Sequence, residues 1–87
     1  MTYTVAEFLA LCLALSNDEY GFASHPERFP SGTCNGHEVS LCEFQWRSVI
    51  IDNCVYTIWP DDFCGVHSDK WEGTKTCMEY VEWVITH

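Results

Sequence analysis

Cys34-Asn35-Gly36-His37 and Cys64-Gly65-Val66-His67 bracket the part of the chain whose reading decides the fold: two C-x-x-H pairs, each containing a glycine, 26 residues apart. Between them, residues 38–47 (EVSLCEFQWR) alternate. Ser40, Cys42, Phe44 and Trp46 fall on one face and Val39, Leu41, Glu43, Gln45 and Arg47 on the other, the pattern of a half-buried strand. Residues 49–59 (VIIDNCVYTIW) are rich in β-branched and aromatic side chains and predict a second strand stopped by Pro60. Asp52-Asn53 interrupts it, as a turn or as a bulge.

A hairpin turning near Arg47-Ser48-Val49 sets Cys42 opposite Cys54 and delivers both C-x-x-H pairs to the same end of the sheet. Four nitrogen and sulfur ligands on short glycine-containing turns are the makings of one structural zinc, held by Cys34, His37, Cys64 and His67. Two other readings compete with it. Cys34–Cys64 and Cys42–Cys54 form disulfides in an oxidised protein, or all six cysteines pack as small hydrophobes. Cys12 and Cys77 sit on apolar faces and belong to the core in every version.

Upstream, Thr4-Val5-Ala6-Glu7 is a capping box, in which the Thr4 hydroxyl accepts from the Glu7 amide and the Glu7 side chain reaches back. Val5, Phe8, Leu9, Cys12 and Leu15 follow at helical spacing, predicting a helix over residues 5–19. Leu11 and Leu13 make it apolar nearly all round, so it packs on more than one side or meets a partner. Residues 21–37 and 60–74, rich in Gly and Pro, read as loops. Residues 75–86 fit either a helical stripe or a strand, and the density of Tyr80, Val81, Trp83, Val84 and Ile85 favours strand. The expectation is a single α+β domain over residues 1–87, with an N-terminal helix packed on an antiparallel sheet of about three strands.

Net charge is −9, with thirteen acidic residues against four Lys and Arg. Phosphate neutralisation rests on Lys and Arg, so direct nucleic-acid binding and attraction to anionic membranes are not expected. No run reaches the length of a membrane span. FLALCLALS at residues 8–16 resembles a signal core, but Glu7 and the lack of preceding positive charge argue for a cytoplasmic protein. Secretion is the expectation if the cysteines are disulfide-bonded.

Asp61, Asp62, Asp69, Glu72, Glu79 and Glu82 gather in the C-terminal third with Trp59, Trp71 and Trp83. Carboxylates interleaved with aromatic anchors suit the basic groove of a partner protein, and a candidate partner surface is therefore Asp61, Asp62, Asp69, Trp71, Glu72, Glu79 and Glu82. No family motif surrounds Cys34 or Cys64 as a nucleophile, so no enzyme is expected. The leading expectation is a small acidic inhibitor that occupies a nucleic-acid-binding surface. Anti-CRISPR proteins and other phage-encoded DNA mimics offer an analogy of size and charge, with no shared motif. The alternatives are a structural zinc module of a larger assembly and a secreted disulfide-rich toxin or effector.

Overall fold

A computed structural model describes residues 1–17, 19, 21–58 and 78–87. The fold is α+β. Among the described residues, five strands make one mixed sheet in the order β1-β2-β3-β4-β5: Thr2–Tyr3, Gly32–Cys34, His37–Cys42, Ser48–Ile51 and Cys54–Thr57. Helix α1 spans Val5–Ser16 and helix α2 spans Met78–Thr86, with a short 3-10 turn at Pro26–Arg28.

The capping box forms as the sequence predicts. The Glu7 amide donates to Thr4 Oγ1 at 3.0 Å and the Thr4 amide to Glu7 Oε1 at 2.8 Å, satisfying two of the helix's free donors. The helix stops at Ser16, short of residue 19, where the buried Ser16 hydroxyl turns back to the Leu13 carbonyl at 2.9 Å. Phe8, Cys12 and Leu15 are buried, and Leu9 and Leu11 pack partly against the same core. The all-round apolar character of α1 is thus largely used up by the sheet and by α2.

Tight turns decide the sheet. β2 and β3 are joined by Asn35-Gly36, with φ +52° and +85°; β4 and β5 are joined by Asp52-Asn53, with φ +51° and +69°. Positive φ at both central residues is the turn whose twist matches a two-residue hairpin, and Asn-Gly is its strongest sequence signal. This corrects the reading of residues 21–37 as an irregular loop, and Asp52-Asn53 is a turn in its own right. It also corrects the strand count and the purely antiparallel expectation, since β1 pairs with β2 in parallel. A two-residue strand is too short to show a period. Gly32 lets the chain start lie close: a Cβ there would stand 2.0 Å from the Met1 carbonyl oxygen.

The β3–β4 connection runs from Glu43 to Arg47, so Cys42 pairs with Ser48 and Cys54 with Ile51. The expected Cys42–Cys54 juxtaposition is not formed. Strand alternation sends those two side chains to opposite faces, and Cys12, Cys34, Cys42 and Cys54 are all free thiols.

Tyr3, Cys34, Val39, Val49 and Ile51 are buried on the face covered by the helices. Tyr3, Phe8, Phe22 and Phe29 interlock with ring centroids 5.8–6.3 Å apart, mostly edge to face. The Tyr3 hydroxyl donates to the Pro30 carbonyl, pinning the long loop to the core.

The C-terminal segment is helical where strand was expected. Val81 and Ile85, four residues apart, are buried against α1 and Val84 partly so, whereas Tyr80 and Trp83 point outward. An amphipathic stripe against α1 outweighed the local preference of its aromatic and β-branched residues.

Candidate functional site

The predicted metal residues divide into a described half and a half, Cys64 and His67, that lies outside the described residues. Cys34 and His37 face each other across the first hairpin turn. Cys34 is sealed beneath α1; its thiol donates to the Thr4 carbonyl at 3.7 Å, and burial, with Glu7 nearby, holds its pKa above the ordinary thiol value. A thiol in that setting is a poor nucleophile, because the thiolate is the reactive form.

His37 is drawn instead to the neighbouring turn. Its Nδ1 lies 2.6 Å from Asp52 Oδ2, while Asp52 Oδ1 accepts the Glu38 amide at 2.9 Å. The His37 contact and then the Glu38 amide hold the Asp52 carboxyl below its ordinary pKa. Asn35 completes this end: its Nδ2 donates to the Ile85 carbonyl at 2.8 Å, closing the last turn of α2. Among the described residues, no group of three or more His, Cys, Asp or Glu side chains is placed to hold a metal ion.

Of the predicted partner surface, Asp61, Asp62, Asp69, Trp71 and Glu72 lie outside the described residues, and Glu79 and Glu82 are exposed on α2. Every described acidic side chain, from Glu7 to Glu82, is exposed; the described cations are the exposed Arg28 and the half-buried Arg47. Beside Glu79 and Glu82 runs a ladder of rings. Tyr56 meets Tyr80 at 6.1 Å, Tyr80 is parallel to Trp83 at 6.2 Å, and Trp83 stacks on His87 at 4.5 Å. Trp83 remains 55% exposed, enough to anchor a partner. Tyr80 and His87 were missed from the sequence because their spacing is meaningful only on a helix.

The opposite end of the sheet carries a second surface. In the Glu43–Arg47 loop, Phe44 and Trp46 are 80% and 58% exposed, and the Arg47 guanidinium lies over the Trp46 ring at 4.0 Å. No signal beyond their apolar character marked these residues, which strand periodicity had placed in a β-strand.

Among the described residues, no helix is long and apolar enough to cross a membrane. Comparison with protein-family models, with curated proteins and with solved structures finds no match.

Proposed function

We propose that this is a non-enzymatic cytoplasmic binding protein that occupies a basic, nucleic-acid-binding surface of a partner protein, in the manner of a DNA mimic. The outer face of α2 carries the reading: Trp83 and Tyr80 are exposed together beside Glu79 and Glu82. An aromatic anchor ringed by carboxylates is complementary to a groove built from Arg, Lys and apolar patches. The net charge of −9 steers such a partner in from a distance. Asp61, Asp62, Asp69, Trp71 and Glu72 belong to the same proposed set by sequence and lie outside the described residues.

The test is capture and competition. The immobilised protein retains nucleic-acid-binding proteins, duplex or single-stranded nucleic acid displaces them, and retention falls as salt rises. Glu79→Lys with Glu82→Lys weakens retention by about tenfold, chiefly through slower association. Retention that ignores both salt and nucleic acid would overturn the reading.

A structural zinc on Cys34, His37, Cys64 and His67 is the second reading. The Asp52 carboxylate at His37 Nδ1 favours it, since a metal-binding imidazole ordinarily donates its other nitrogen to such a group. The Cys34 bond to the Thr4 carbonyl weighs against it. Elemental analysis decides: one zinc per chain, lost in His37→Ala, supports the site, and metal-free folded protein removes it.

A further inference from the structure

We propose that the end of the sheet remote from the two-residue turns is a binding pocket for a small carboxylate with an aromatic or otherwise apolar body, held by Arg47. Three observations meet there. First, a pocket of about 280 Å³ lies between the Glu43–Arg47 loop and the start of the long loop, walled by Leu15, Phe22, Pro26, Leu41, Phe44 and Trp46. Its lining mixes these apolar side chains with the polar Glu43, Gln45 and Arg47, the combination from which small-molecule sites are built.

Second, Arg47 lines this pocket, and its Nε, sealed behind the lining, has no hydrogen-bond partner among the described residues. A buried donor left unmatched is costly, and a cationic one more so. Third, Arg47 sits at φ +52°, the left-handed conformation that glycine and asparagine adopt more cheaply. The backbone is held there from both sides: the Arg47 carbonyl accepts the Ile58 amide at 2.8 Å, and the Trp46 carbonyl accepts the Ser48 hydroxyl at 3.1 Å. Strain of this kind gathers at binding sites.

The chemistry of the occupant follows. A guanidinium offers a planar fork matched to a carboxylate, and its contact with the Trp46 ring, 4.0 Å from the centroid, helps hold the group at the pocket. A single cation beside apolar walls suits one negative charge carried on a hydrophobic body, rather than a multiply charged phosphate. Phe44 and Trp46 line the pocket with their rings partly exposed, offering apolar surface to such a body. Glu43 lines the same pocket from an exposed position and, among the described residues, makes no ion pair with Arg47. It is the internal competitor for the guanidinium. The overall negative charge opposes anions at long range, but screening at physiological ionic strength confines that effect to roughly 8 Å.

Phenylacetate is the probe, with phenylacetamide as its neutral counterpart of the same shape, each titrated into the full chain and followed by amide and indole NMR shifts. Phenylacetate is expected to give saturable shifts at Phe22, at residues 41–47 and at the Trp46 indole, and phenylacetamide to bind about tenfold more weakly. Arg47→Asn keeps a residue suited to φ +52° and is expected to lose the preference for the acid; Glu43→Gln is expected to bind phenylacetate severalfold more tightly. Absence of saturable shifts at millimolar phenylacetate, shifts that map elsewhere, or equal binding of acid and amide would each overturn the proposal. Should Arg47→Asn fail to fold, the acid and amide comparison on the unaltered chain still decides.

Discussion

The two ends of the sheet are made by the same strands and closed in contrasting ways. At one end, two short hairpin turns lie side by side, and their polar groups find each other or the helix: His37 with Asp52, Asp52 with the Glu38 amide, Asn35 with the Ile85 carbonyl. The residues at positive φ there are Asn35, Gly36, Asp52 and Asn53, types that tolerate it. At the other end a five-residue loop, Glu43–Arg47, places an arginine at positive φ, buries its Nε without a partner among the described residues and leaves Phe44 and Trp46 exposed. One end obeys the rules of local consistency, and the other breaks several at once. Such local exceptions gather at functional or strained sites, and the proposed carboxylate pocket lies at this end.

The contrast is broken most strongly through the core beneath the turn end. Ile85 is fully buried, so Ile85→Ala is expected to cost about 3 kcal/mol in equilibrium denaturant unfolding. Trp46→Ala, larger in volume but mostly exposed, is expected to change stability by less than about 0.5 kcal/mol. A comparable loss at both sites would erase the distinction.

A smaller effect comes from pH. The Asp52 pKa is lower folded than unfolded because of His37 and the Glu38 amide. Its contribution is therefore fully present above its ordinary value of 3.8 and lost as pH falls through the depressed folded value. Asp52→Asn should flatten that part of the stability profile in acid denaturation. An unchanged profile would mean the His37–Asp52 contact does not bear on folding.

How much of this was legible beforehand depended on what each residue was being asked to reveal. The capping box at Thr4 and Glu7 is purely local and formed as read. The strand content of residues 38–58 was likewise visible, but the register was not, because Asp52-Asn53 could be read as a bulge and the true loop at Glu43–Arg47 continues the strand alternation. Asn35-Gly36 is a plain hairpin signal, but the Cys34 and His37 that flank it fit a metal-ligand spacing equally well, so the local sequence alone does not choose between the two. α2 is not legible locally because Tyr80, Trp83 and Val84 favour strand, and its helical stripe, Val81 and Ile85, has meaning only once α1 is there to receive it. The exposed aromatics and the orphan Arg47 nitrogen depend on tertiary placement and leave no pattern in the chain.

Asn35 and Arg47 share a φ of +52° at opposite ends of the same sheet. Exchanging their residue types one at a time, as Asn35→Arg and Arg47→Asn, therefore compares the two residue types at the same positive φ and tests the two-ended account most directly. By chemical denaturation, Asn35→Arg is predicted to lose about 1–2 kcal/mol, from the less favourable left-handed residue and the broken bond to Ile85. Arg47→Asn is predicted to be neutral or to gain up to about 1 kcal/mol. Equal destabilisation by both substitutions would contradict the account, since Arg47 would then be holding the fold together rather than being held in readiness by it.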